Sequence, residues 1–65
     1  VILVINGEPR DLEARTVADL PARLDLSAPT LLIEHNGEAL SRHEWPSRSL
    51  REGDRVEILR IAAGG

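Results

Sequence analysis

The chain of 65 residues contains no cysteine, lysine, methionine, phenylalanine or tyrosine, and one tryptophan. Without cysteine there is no disulfide, no thiolate nucleophile and no Cys-rich zinc site, three devices that often staple small domains. Without Phe, Tyr or Met the core has to be built from Val, Leu, Ile and Ala around Trp45. All eight basic residues are Arg. A GC-rich coding bias accounts for that, and its chemical consequence is that no side chain offers an amine to capture an activated carboxyl group. No apolar run approaches the ~20 residues that a membrane-spanning helix needs. No basic start leads through an apolar stretch to a cleavage site, so no signal peptide is read and the cytoplasm is the expected location. The initiator Met is also missing, and the sequence does not explain why it starts at Val1.

Acidic residues outnumber basic ones, 11 to 8, for a formal charge of −3. A nucleic-acid reader shows a basic face, so neither DNA nor RNA is an expected partner. The length fits one small domain, of a size that buries only about 60% of the surface its unfolded chain exposes.

Val1 to Ile5 is continuously apolar, which fits a strand buried on both faces. Asn6-Gly7 follows, the pair preferred in a two-residue hairpin because both central residues need positive φ. Glu8 to Glu13 is the return strand, and Pro9 suits an edge position there. Thr16 to Asp25 reads as a helix, with Val17, Leu20 and Leu24 on one stripe and Thr16 and Asp19 spaced as a capping box. Pro21 complicates its start. With Thr16 as N-cap, Pro21 sits at the fifth helical position; with Asp19 as N-cap, it falls in the tolerated first turn. The expectation is a short helix, irregular before Leu20 and ended by Ser27-Ala28-Pro29.

Thr30 to His35 is a third strand and Asn36-Gly37 a second tight turn, with Glu38 to Leu40 a brief return. Ser41 to Ser49 lacks a clear period and is expected to hold a turn of helix plus loop. Arg55 to Ile61 is the last strand. Val56 and Ile58 share one parity and are expected to face the core. Leu59 and Ile61 share the other and face outward. A strand-hairpin-helix start with the last strand beside a central first strand is a β-grasp arrangement. The expected fold class is therefore α+β, a mixed sheet of four to five strands with one main helix across it.

After Ile61 come Ala62-Ala63-Gly64-Gly65. Four small residues bury almost nothing, so the chain divides into a domain over 1–61 and a flexible tail over 62–65. Five extended residues starting at Ile61 reach about 16–18 Å, enough to enter a deep active site on another protein. Glycine at 64 and 65 leaves a narrow channel unobstructed.

Several pieces of the chain together resemble one family. They are the apolar strand ending in Asn6-Gly7, Thr16-Val17 with Asp19-Leu20, and Asn36-Gly37-Glu38. Arg42 with Glu44-Trp45, Gly53-Asp54-Arg55-Val56-Glu57-Ile58 and Ala63-Gly64-Gly65 complete the set. In that order and at this length they resemble the ubiquitin-like sulfur carrier proteins, most closely those of the thiamine pathway. Ser41, where proline is common, and Pro21 depart from the pattern.

The resemblance implies a ubiquitin-like β-grasp protein that is not an enzyme and is a monomer when alone. An E1-like adenylating enzyme would use ATP and Mg²⁺ to adenylate the Gly65 carboxylate. A cysteine desulfurase or other persulfide donor would then supply sulfur for a thiocarboxylate, which thiazole synthase would consume. Gly65 and Gly64 would be the sulfur-carrying end. Leu59, Ile61, Ala62 and Ala63 would be the docking residues, since apolar side chains on an exposed sheet face suggest a partner site.

Other readings stay open at this point: a carrier for molybdopterin or tRNA thiolation, a protein modifier joined through Gly65, or a non-covalent β-grasp module. His35 and His43, beside Glu34 and Glu44, match no zinc spacing. They read as a strand-end residue and a loop residue. No serine has an evident His–Asp partner set, so no catalytic residue is assigned. Trp45 is expected to close the core, and Arg42, Arg48, Arg51 and Arg55, interleaved with acids, to form a solvated face.

Overall fold

A computed structural model describes residues 1–26 and 31–61. Five strands, β1 (Ile2–Ile5), β2 (Glu8–Asp11), β3 (Leu31–His35), β4 (Glu38–Leu40) and β5 (Arg55–Arg60), make one mixed sheet. Its order is β2-β1-β5-β3-β4. β1 and β5 run parallel, and every other neighbouring pair is antiparallel. A 3₁₀ turn (Val17–Asp19) leads into a short helix, α1 (Leu20–Arg23), and a longer 3₁₀ segment covers Arg42–Ser47.

Both Asn-Gly pairs form the turns they predict. Asn6 and Asn36 have φ of 49° and 50°, and Gly7 and Gly37 both have 85°, the left-handed conformations that a two-residue hairpin requires. β2 ends at Asp11, two residues short of the expectation, although Leu12 still exchanges main-chain hydrogen bonds of 2.9 and 2.8 Å with Val1 while its side chain packs against the core. Pro9 does lie on an edge strand, opposite Val4.

β1 is not buried on both faces. Leu3 and Ile5 are buried, Val4 is half-buried and Ile2 is 49% exposed. β1 has a strand on each side, yet β5 holds the centre of the sheet. One layer of helical segments covers one face, so alternate residues of an entirely apolar strand still meet water.

Both readings of Pro21 are realised in succession. Thr16 caps the 3₁₀ turn, where the Asp19 carboxylate accepts hydrogen bonds from the Arg15 and Thr16 backbone N–H groups at 2.8 and 3.1 Å. Asp19 in turn stands as N-cap of α1, which leaves Pro21 in its first turn. The helix is shorter than the expected Thr16 to Asp25. Leu26 N–H donates to the Pro21 carbonyl at 2.7 Å and Asp25 N–H to that of Ala22 at 3.3 Å. With Asp25 left-handed at φ 57°, this is a Schellman closure. Ser27-Ala28-Pro29, expected to end the helix, and Thr30 lie outside the described residues.

The core is aliphatic apart from Trp45. Leu3, Val17, Leu20, Ile33 and Val56 are its fully buried side chains. Trp45 is buried as expected, with the Arg42 guanidinium 5.1 Å above its ring. The Arg42–Ser47 segment starts on a second capping box, in which Glu44 accepts from Ser41 N–H at 2.8 Å. The Ser-x-x-Glu spacing that announces it is plain in the sequence.

Candidate functional site

Strand β5 is the last described strand, and its two faces divide its side chains between core and solvent. Val56 and Ile58 point inward, as their parity predicts. Leu59 and Ile61 are 59% and 46% exposed. Leu32 stands directly opposite Leu59 on β3 and is 49% exposed. The strip of apolar side chain on the open face therefore crosses two strands. Leu32 was missed within the run Leu31-Leu32-Ile33. Parity recovers it, because Leu31 and Ile33 face the core and the residue between them does not.

Next to this strip, Glu34 lies directly opposite Glu57. Like charges in that relation are destabilising. The face thus combines exposed aliphatic surface with an exposed pair of like charges. Ala62, Ala63, Gly64 and Gly65 lie outside the described residues.

The remaining polar groups serve the fold. His35 is a strand-end residue as expected, but it is buried, a feature the sequence did not reveal. Its Nε2 meets Asp54 Oδ2 at 2.7 Å. Asp54 also accepts from Asn36 Nδ2 at 3.1 Å and from the Arg51 backbone N–H at 2.9 Å. Burial alone would raise the Asp54 pKa. The hydrogen bonds from His35, Arg51 and Asn36 outweigh it and hold the carboxyl below its ordinary range. Arg48 grips Glu38 with two bonds of 2.8 Å, which lowers the Glu38 pKa and raises that of Arg48. His43 is exposed. Among the described residues no three His, Asp or Glu side chains converge as metal ligands, and no helix is long and apolar enough to cross a membrane. What the described residues offer is an exposed aliphatic strip on the open face of the sheet, at the end of β5.

Comparison with known proteins agrees along the whole chain. A family model described as the ThiS family matches residues 3–65. The sulfur carrier protein ThiS of Thermus thermophilus is 36% identical over 61 residues, 94% of this chain and 95% of that protein. A thiazole synthase of Paramagnetospirillum magneticum is 33% identical over 64 residues, 97% of this chain but 20% of that protein. The crystal structure of a thiamine biosynthesis protein (ThiS) from Geobacter metallireducens superposes with a TM-score of 0.82 at 32% identity, covering both chains completely. A solution structure of a thiamine biosynthesis protein from the same organism gives 0.80 at 29% identity, covering all of this chain and 88% of that one.

Proposed function

The chain belongs to the ThiS family, and on that premise we propose how it carries sulfur: Gly65 exchanges one carboxylate oxygen for sulfur and hands that sulfur on. The protein is a sulfur carrier of thiamine biosynthesis with a ubiquitin-like β-grasp fold, and it is not itself a catalyst. The observation that carries the proposed mechanism is the family match running to residue 65, through Ala63-Gly64-Gly65.

A free α-carboxyl group has a pKa of about 3.3–3.7 and is an unreactive anion at neutral pH. An E1-like enzyme using ATP and Mg²⁺ joins it to AMP and releases pyrophosphate, which supplies a leaving group. Sulfur from a cysteine desulfurase or another persulfide donor replaces AMP, and a thiol supplies the two electrons that cleave the donor's S–S bond and leave a thiocarboxylate on Gly65. Thiazole synthase then takes the sulfur. A thiazole synthase with a segment similar to this chain over a fifth of its length supports that partner.

In this cycle residues 1–61 are the body, a monomer when free, and 62–65 the segment that enters the active sites, with Gly64 and Gly65 at its tip. Leu59 and Ile61, joined by Leu32 and continued by Ala62 and Ala63, make the docking contact. The ATP and persulfide it draws on are those of the cytoplasm. The test is ATP-dependent pyrophosphate release with the adenylating enzyme of the same cells. The full chain supports release and a chain lacking Gly65 does not. Equal release from both would refute the proposal.

A further inference from the structure

Strand β5 outruns its parallel partner. β1 pairs with it only at Arg55 and Val56, through Val4 and Ile5, whereas β3 stays paired with it as far as Arg60. One more main-chain bond follows on the β1 side, from Asn6 N–H to the Val56 carbonyl at 2.9 Å. The backbone then turns away at Gly7, φ 85°. On that side Ile58 would be left with an unpaired N–H and C=O, groups that need partners in a half-buried strand.

The Asn6 side chain takes both. Its Oδ1 accepts from Ile58 N–H at 2.7 Å and its Nδ2 donates to the Ile58 carbonyl at 3.1 Å. A primary amide offers an acceptor and a donor as a peptide group does, so this side chain adds one rung to the ladder after the backbone has left it. Turn chemistry alone does not ask for this, because glycine satisfies a positive φ with no side chain at all. Asn36 makes a comparable attachment at the start of the strand. Its Oδ1 accepts from Arg55 N–H at 2.8 Å and its Nδ2 donates to Asp54 at 3.1 Å.

We propose that Asn6 is a positioning residue for the transfer end: by holding both backbone groups of Ile58, it fixes the course of β5 into Leu59 and Ile61. The proposal rests on the carrier function proposed above. Leu59 follows Ile58 directly, and without the clamp this stretch of β5 would be held from the β3 side alone, so its docking side chain would sample a wider range of directions among which binding would have to select.

The test compares Asn6→Gly, which keeps the turn and removes the clamp, with Asn36→Gly, which removes the attachment at the far end of β5. Each is assayed well below its own melting temperature for ATP-dependent pyrophosphate release. Hydrogen exchange at the Ile58 amide is followed by NMR. Asn6→Gly should raise the KM for the carrier about tenfold, the scale of two lost hydrogen bonds, while kcat stays within about twofold. Its Ile58 amide should exchange at least about tenfold faster than in the wild type. Asn36→Gly should leave KM and Ile58 exchange unchanged, whatever it does to stability. Wild-type KM in folded Asn6→Gly would overturn the proposal, as would undiminished protection of Ile58. If the wild type itself releases no pyrophosphate, the carrier mechanism fails, and Ile58 exchange alone still decides whether the clamp exists. Should Asn6→Gly not fold, Asn6→Asp, which keeps the acceptor and loses the donor, carries the same comparison.

Discussion

Asp54 ties together two turns that are far apart in sequence, with one carboxylate accepting from His35, Asn36 and the Arg51 amide. Because those bonds hold its pKa below the ordinary value, the folded protein binds fewer protons than the unfolded chain in acid. Stability is then fully present above the unfolded carboxylate pKa, about 3.9, and is lost as the pH falls through the lower folded value. Asp19, held low by the Arg15 and Thr16 amides, Glu44, held low by Ser41, and Glu38, held low by Arg48, act in the same direction. Urea midpoints should therefore drop on acidification below about pH 4. Asp54→Asn, which cannot ionise, should show a shallower drop. A drop as steep as the wild type's would mean that Asp54 is not a source of the acid sensitivity. At this scale the sequence disclosed Trp45 as a core residue and the Thr16–Asp19 cap, because both rest on local spacing. It did not disclose the His35–Asp54 bond, because residues 19 positions apart meet only once the register of β3 and β5 is known.

Among the elements, β5 has the most to do. Its inward parity fills the core and its outward parity carries Leu59 and Ile61 beside Leu32. Leu59→Asp places a charge in that strip without touching the core. The fold should survive, seen as an unchanged melting profile, and adenylation should weaken by about tenfold or more, as loss of a central interface anchor does. Normal activation of the folded variant would exclude this face as the docking site. Helix α1 offers a separate check. Asp25 holds a left-handed conformation at its end, which costs an L residue about 1 kcal/mol relative to glycine. Asp25→Gly should raise unfolding stability by roughly 0.5–1 kcal/mol, measured by urea titration, and a loss of stability would contradict the Schellman reading. The order of elements was legible from Asn-Gly pairs, apolar runs and parity. Helix length was not, since Leu24 continues the apolar stripe although the backbone has already left the helix.

As a whole molecule, the protein stands on a small aliphatic core with no disulfide, and typical stability per residue gives about 3–10 kcal/mol in total. Leu20 is fully buried beneath the sheet. Leu20→Ala should cost about 2–5 kcal/mol, enough to bring the fold near its limit, and a thermal melt shifted by only a degree or two would contradict that packing. Against so narrow a margin, the proposed chemistry places its demand on a chain end and needs no catalytic side chain. The β-grasp topology could be anticipated because a doubly apolar first strand calls for neighbours on both sides. The open second face could not, since an unbroken apolar strand does not reveal whether one layer covers it or two. The absence of cysteine makes the central claim directly measurable. Protein isolated from its own thiamine-starved cells is treated with a thiol-directed alkylating reagent and its intact mass recorded. A single adduct localised to Gly65 is predicted, since no side chain supplies a thiol. An unmodified mass, with Gly64 and Gly65 intact, would contradict sulfur transfer through this terminus.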